Sequence, residues 1–435
     1  MAAEPPGPPV TPGEAAAPRR CRHRPQPRRE GDLRPTDVVG AFFVCGIAFL
    51  AAAALAGLAQ AISPWPWGRW LALHLAFVGG VSELVLGASQ FFAGAFLATD
   101  PPPRRLVRAQ LLAWIAGTVV LAVAVPTGAG TAIWIAAGAL VTSLALWAAA
   151  VAVMWRRSLR RSRWAVAWYC NGALFLGFGM LAGSLLAHGV PWAHGDLLGA
   201  HMALNLAGWL GGAIVGTLHT FYPSLTQTQL RYPRLQALAF ATWSAGVSAL
   251  AVGYAWAVDP VAVAGWVALC LGALALLVNV AACLRAAPRP VSLAARVVGI
   301  AQPCLLAALL VAGIAALAHG PEHAITGSSR LVVGTLLVAG WIGLTVLGSL
   351  LHLLAVVVRV RGGFAARMPA PRPRSDAAIA AVAVLAIAAL ALAQGASLSG
   401  LDEPARLLLI AVYALLAVRI ARLAGKVLLH ARPRI

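Results

Sequence analysis

Long apolar runs separated by short polar breaks dominate the pattern of hydrophobic and polar positions along this chain. Twelve of the runs reach about 20 residues, the length that a helix needs to cross the hydrocarbon core of a bilayer. The pattern therefore predicts an all-α polytopic membrane protein. Its twelve predicted spans cover 38–62, 70–97, 107–126, 131–155, 165–187, 197–220, 235–257, 261–284, 294–318, 331–358, 376–398 and 405–429.

Little of the chain is left for a soluble domain. Residues 1–36 are rich in proline and arginine and contain no apolar stretch, so they fit neither a signal peptide nor a folded unit. We interpret 1–36 as a disordered cytoplasmic tail, 37–430 as one twelve-helix transmembrane domain, and 431–435 as a cytoplasmic C-terminal end.

Composition agrees with a membrane protein. Hydrophobic residues make up 61% of the 435 positions, charged residues make up 11%, and the mean hydropathy is +0.83. These values exclude a soluble globular enzyme and a disordered chain. The formal net charge of +20 does not indicate a nucleic-acid partner, because the basic residues form no stripe interleaved with aromatic residues.

The basic residues also predict an orientation. If the N-terminus is inside, the inner segments hold 30 of the 33 basic residues, and only Arg69, Arg330 and Arg406 lie outside. This asymmetry follows the positive-inside rule. Abundant Ala, Gly and Arg indicate a GC-rich coding sequence. We expect a multi-pass protein of a bacterial inner membrane, with both termini cytoplasmic and anionic lipid headgroups against its basic face.

Three of the runs share a short sequence phrase. It reads Val-Leu-Gly-Ala around Gly87, Ile-Val-Gly-Thr around Gly216 and Val-Leu-Gly-Ser around Gly348, and we call these three positions the repeat glycines. They are 129 and 132 residues apart, which is four spans each time. Chance likeness between glycine-rich helices does not explain a constant period. The repeat predicts three four-helix arcs related by pseudo-threefold symmetry.

The sixth run carries a further pattern. His201 opens it, glycines follow, His219 comes about five turns later, and Pro223 closes it. This pattern and the three arcs resemble subunit I of the haem–copper oxidases, and among its divergent members the nitric-oxide-response haem–copper membrane proteins. The resemblance implies that the second, sixth and tenth spans are equivalent. It also implies a b-type haem protein in electron transfer or in a redox or nitric-oxide response.

The chain departs from this family at its copper centre. Val332, Val333 and Gly334 stand where the tenth span of the oxidases carries a histidine pair, and the seventh run contains no histidine. The resemblance therefore does not extend to the oxygen-reducing copper site.

His74 and His201 are the main candidates for cofactor binding. They lie 13 and 15 residues before Gly87 and Gly216, so the repeat places them at nearly the same depth on equivalent helices. Two neutral imidazoles that face each other across a bundle can ligate haem iron, and the resemblance makes His74 the match of a haem ligand. We expect haem b between them. The alternative is that each histidine stabilises its helix by bonding a nearby carbonyl.

A second group of histidines falls in the outer loops. His188 and His194 flank the start of the sixth run, and His319 and His323 precede the tenth. Imidazoles near carboxylates suit copper or zinc, so these four residues are candidate metal ligands. The alternative is that they are simply hydrated.

One acidic residue, Glu83, lies in the middle of a predicted span. A carboxylate at that depth is costly unless it is protonated or paired, so we treat Glu83 as a candidate proton or ion relay, with Asn205 as a member of the same relay. Asn171, Asn279 and Gln302 are further candidate partners of Glu83. The alternative is a protonated side chain with only a structural bond. We expect His219 and His352 to anchor helix ends at the headgroups.

Three functions remain open at this point. The first is the haem protein, with a quinol or another redox partner. The second is a transporter or metal-handling protein that uses Glu83 and the outer histidines, with copper as the metal. The third is a structural membrane subunit. The residues do not decide whether the protein is an enzyme.

Overall fold

The computed structural model describes residues 35–158, 163–327, 329–362 and 372–429. Regular secondary structure within these ranges is entirely helical. Twelve helices are long and apolar enough to cross a membrane, which confirms the predicted all-α, multi-pass class. The predicted tail at 1–36, apart from its last two residues, and the predicted end at 431–435 lie outside the described residues.

We label the twelve spans α1 to α12 in chain order. They are α1 Gly40–Ile62, α2 Gly68–Leu97, α3 Arg104–Thr127, α4 Gly130–Arg157, α5 Val166–Ala187, α6 Leu197–Thr226, α7 Pro233–Ala255, α8 Asp259–Ala286, α9 Leu293–His319, α10 Arg330–Val360, α11 Pro373–Gly395 and α12 Ser399–Val427. Four helices continue beyond these limits: the first begins at Pro35, the fifth begins at Arg163, the tenth ends at Gly362 and the twelfth ends at Leu429.

Two helix ends lie six residues beyond the predicted limits, because each helix includes a proline at which the sequence pattern predicted a break. α6 continues past Pro223 to Thr226, and α12 begins at Ser399, ahead of Pro404. Membrane helices tolerate proline where hydroxyl groups and packing satisfy the backbone again.

The packing of the helices repeats every four spans. α2 contacts α1, α3 and α4; α6 contacts α5, α7 and α8; and α10 contacts α9, α11 and α12. The junctions between the groups also correspond, because α2 meets α5, α6 meets α9, and α10 meets α1. The predicted three arcs are therefore present, with α2, α6 and α10 as the central helices.

Each repeat glycine allows a close approach to the helix that precedes its own. A Cβ at Gly87 would lie 2.4 Å from Phe42 of α1, and one at Gly216 would lie 2.2 Å from Trp168 of α5. At Gly348 it would lie 2.7 Å from Val298 of α9. Small residues let helix backbones approach closely in membranes, and here they do so at three equivalent contacts. The three helices therefore share this sequence because each must approach the preceding helix closely at its repeat glycine.

The three central helices also share a π-helical segment. The segments are Leu75–Val81 in α2, Ala203–Gly211 in α6 and Thr335–Gly343 in α10. They end six, five and five residues before the repeat glycines. Because π-helical turns are rare, three of them at one position of the repeat strongly support an internal symmetry.

A carbonyl in each π segment is bonded by an aromatic side chain of a peripheral helix. The carbonyls occupy equivalent positions, and the bonds are Trp114 Nε1 to Val78 O at 2.9 Å, Trp243 Nε1 to Ala207 O at 2.9 Å, and Tyr413 OH to Ala339 O. A buried carbonyl released by an irregular turn needs such a donor. These bonds therefore stabilise the irregular turns and attach α3, α7 and α12 to the central helices.

Candidate functional site

We name the two ends of the bundle by their residues. The histidine end is the one at which α2, α6 and α10 begin, and it carries His74, His188 and His201. The arginine end is the opposite one, where α2, α6 and α10 end and where most of the described arginines lie.

His74 lies at the histidine end of α2, directly before the π segment. Its Nδ1 lies 2.8 Å from the carbonyl oxygen of Trp70, one turn earlier, and its ring stacks on the Trp70 indole with a centroid distance of 4.1 Å. A carbonyl oxygen only accepts, so Nδ1 carries the hydrogen of this bond. The Nε2 atom of His74 is left with a lone pair.

His201 occupies the corresponding place in α6, two residues before the π segment. Asp196 caps this helix by accepting from the Gly199 N–H at 3.0 Å, which fixes where α6 begins. The His201 Nδ1 lies 2.9 Å from the Gly179 carbonyl oxygen of α5. A Cβ at Gly183 would lie only 2.7 Å from His201 Cε1, so α5 accommodates the ring only because it carries glycine there.

The two histidines share one chemical arrangement. In both, Nδ1 donates to a backbone carbonyl, while Nε2 has no hydrogen-bond partner among the described residues. A histidine that binds a metal through Nε2 is usually oriented by such an Nδ1–H bond, so the bonding of His74 and His201 is compatible with metal ligation through Nε2. His219 shows the same bonding, with Nδ1 2.8 Å from Val215 O and Nε2 without a partner in the described structure, so the bonding alone does not single out a ligand.

The outer-loop histidines are not grouped in this way. Both ring nitrogens of His188 lie near carbonyl oxygens, Nδ1 at 2.8 Å from Ser184 O and Nε2 at 3.2 Å from Gly130 O. His194 is exposed and lies against the edge of Trp192. The His188 ring therefore lies between backbone carbonyl groups and not beside the other loop histidines.

His319 and His323 lie near each other, but few other side chains that could bind a metal ion lie beside them. Their ring centroids are 5.7 Å apart, and His323 Nδ1 lies 3.4 Å from a carboxylate oxygen of Glu322. α9 ends at His319 and a separate 3-10 helix covers Pro321–Ala324, so the two residues do not share one α-helical face. Within the described ranges, no three His, Cys, Asp or Glu side chains come together as a metal site.

Glu83 is fully buried in α2, with a relative exposure of 0%. Neither carboxyl oxygen has a hydrogen-bond partner in the described structure. Gly79 and Gly87, four residues to either side, approach Phe49 and Phe42 of α1, so the carboxyl group faces that helix. The expected amide partners are engaged elsewhere, in the bonds Asn171 to Ser244, Asn205 to the His201 carbonyl, Asn279 to Tyr232, and Gln302 to Thr345.

The expectation that His219 anchors a helix end at the headgroups is wrong. Its side chain is buried, with 1% exposure, and its ring lies parallel to that of Trp168 at a centroid distance of 6.4 Å. The error follows from the length of α6, which continues seven residues beyond His219. His352 is half-buried and lies edge-on to Phe221.

A buried polar network in the first arc was not identified from the sequence. Gln90 Nε2 donates to Gln110 Oε1 at 3.1 Å, and Trp147 Nε1 donates to Ser89 Oγ at 2.8 Å. Polar residues inside apolar runs were the available signal. These bonds connect α2 with α3 and α4, and thereby stabilise the helix that carries His74 and Glu83.

The structure thus describes a multi-pass membrane protein in which two equivalent helices present a pair of similarly bonded histidines. No protein-family model matches the chain, and no curated protein sequence matches it.

Proposed function

We propose that the protein is a b-type haem protein of the bacterial inner membrane, in which His74 and His201 hold the iron through their Nε2 atoms. It would be of the haem–copper oxidase subunit I type without the oxygen-reducing copper site, and would serve electron transfer or a redox or nitric-oxide response. Haem iron with two protein ligands supplies one-electron chemistry. A quinol or another redox protein would be the partner.

The observation that carries this proposal is the shared state of the two imidazoles. Both Nδ1 atoms donate to backbone carbonyls, and both Nε2 atoms are without a partner among the described residues. His219 has both properties as well, and what distinguishes His74 and His201 is that they lie at the histidine end, ahead of the π segments of two central helices. The positions of the histidines, one and two residues before the two π segments, also support a paired role.

The proposed orientation places the arginine end in the cytoplasm. The loops at that end carry almost all of the basic residues, which the positive-inside rule assigns to the cytoplasmic side. The same residues would contact anionic lipid headgroups. The histidines would then lie near the periplasmic surface, where an electron donor or acceptor outside the cytoplasm can approach them.

Haem and metal analysis of the purified protein tests this function. We expect haem b, quantified as its pyridine complex, at about one equivalent per chain, without stoichiometric copper. Purified protein that contains no haem after expression with sufficient haem supply contradicts the proposal.

A second function, that of a transporter or metal-handling protein, is favoured by one observation, the buried and unpartnered carboxyl group of Glu83. Such a group within a membrane is a frequent feature of proton and ion pathways. Under this alternative, proton-coupled uptake or cation binding would be lost in Glu83→Gln. It would be retained in Glu403→Gln, where the residue is exposed. If neither haem nor transport is found, the remaining function is that of a structural subunit.

A further inference from the structure

A cavity of about 90 Å³ lies between the three central helices. Its wall is symmetric, because at four levels the equivalent residues of α2, α6 and α10 all line it. From the histidine end toward the arginine end, these levels are Leu84/Ala213/Thr345, Val85/Ile214/Val346, Ala88/Thr217/Ser349 and Phe92/Phe221/Leu353. The cavity therefore lies on the pseudo-threefold axis of the bundle.

The cavity arises from small side chains at one level of all three helices. Ala88, Thr217 and Ser349 directly follow the three repeat glycines. One turn further toward the arginine end the level is filled by Phe92, Phe221 and Leu353. Because the small residues occupy one equivalent level of three helices, the cavity is a property of the repeat.

The chemistry of the wall is almost entirely apolar. Of its hydroxyl groups, Thr217 is bonded to Tyr169 at 2.6 Å, and Thr345 accepts from Gln302 at 3.1 Å. The Ser349 hydroxyl lines the cavity and has no hydrogen-bond partner among the described residues. Ligand sites commonly combine apolar walls with one or a few polar groups. A charged or strongly hydrated guest would lose its hydration without compensation here.

We propose that this axial cavity binds one small, uncharged, apolar molecule of the size of a diatomic gas. An engineered cavity of about 150 Å³ holds benzene or xenon, so a cavity of about 90 Å³ is of a size for a xenon atom or a diatomic gas. Neither His74 nor His201 lines this cavity. The site is therefore distinct from the proposed haem site, and it does not depend on that proposal.

Xenon is the probe that tests this inference, because it is apolar and of suitable size. The full-length protein in lipid nanodiscs is examined by ¹²⁹Xe saturation-transfer NMR, which detects a bound pool separate from xenon dissolved in lipid. Ala88→Phe and Ser349→Leu fill the cavity from two different helices. Ala95→Phe is the matched control, because Ala95 is exposed on the same helix as Ala88.

We expect a saturable bound pool in the natural protein and in Ala95→Phe, and at least a tenfold smaller pool in both filled variants. Ala88→Gly enlarges the cavity and should increase the bound pool. This variant tests the inference if a filled variant does not fold. The inference is overturned if the natural protein shows no bound pool, or if the pool persists unchanged in a folded filled variant.

Discussion

The imidazole of His201 donates through Nδ1 to the carbonyl oxygen of Gly179 at 2.9 Å, across the interface between α6 and α5. This bond fixes the ring plane and leaves the Nε2 atom with a lone pair. It connects the start of a central helix with the helix before it. The position of the proposed ligand therefore depends on how closely α5 approaches α6.

Substitution of Gly183 tests this dependence. In Gly183→Ala the new Cβ would lie 2.7 Å from His201 Cε1, so the ring must rotate or α5 must move away. We expect loss of most bound haem with little change in helix content, measured by haem absorbance and far-ultraviolet circular dichroism. Gly177→Ala, on the same helix with nothing within 4 Å of its Cβ, should retain the haem. Equal haem content in the two variants would contradict the proposed role of His201.

The repeat glycines should be necessary for stability. In Gly216→Ala the added Cβ would lie 2.2 Å from Trp168 Cγ in the interface between α5 and α6. Overpacking of this kind costs about 1–3 kcal/mol. We expect a lower midpoint of unfolding in sodium dodecyl sulfate titrations, whereas Gly57→Ala, which meets no atom within 4 Å, should leave the midpoint unchanged. Unchanged stability in both variants would show that α5 can move away from α6 without loss of stability, and would contradict the prediction.

The aromatic donors at the π segments should also contribute to stability. Trp243→Phe removes the bond to the Ala207 carbonyl and leaves a buried acceptor without a partner. The expected loss is about 1–3 kcal/mol. Trp256→Phe is the control, because the Trp256 side chain is 54% exposed. The same titration measures both variants, and an equal effect would mean that the π-segment carbonyl finds another donor.

Glu83 should react with a hydrophobic carbodiimide. A fully buried carboxyl without a hydrogen-bond partner is much more stable as the uncharged acid than as a carboxylate, and carbodiimides add to the protonated acid. We expect mass spectrometry of protein treated in the membrane to find the adduct on the peptide that contains Glu83. A water-soluble, charged carbodiimide should give no adduct there, and Glu83→Gln should remove the signal. Labelling by both reagents to the same extent would show that Glu83 is accessible to water.

Much of the architecture is predictable from the sequence, because the bilayer imposes long apolar runs and short basic loops. The twelve spans and the four-helix period follow from those runs and from the spacing of Gly87, Gly216 and Gly348. The π segments are not predictable in this way. A π turn adds one residue to a helical turn. In a helix that is apolar on all sides this addition does not change the pattern of hydrophobic positions, so that pattern does not reveal the π turn.

The site is predictable only in part, for a related reason. The repeat indicates that His74 and His201 are equivalent, but the bonds of their Nδ1 atoms depend on the rotation of α2 and on the position of α5. The unpartnered state of Glu83 likewise depends on which helix it faces. The axial cavity did leave a signal, since Ala88, Thr217 and Ser349 follow the repeat glycines, but its volume emerges only when three distant helices are assembled.

The reduced-minus-oxidised visible spectrum of the purified protein tests the central claim most directly. If His74 and His201 are the axial ligands, the spectrum should show the sharp Soret and α bands of a low-spin b-type haem. These bands should disappear in His74→Ala and His201→Ala and persist in the control His352→Ala. A spectrum without haem bands, or bands that are unchanged in both ligand variants, would contradict the account.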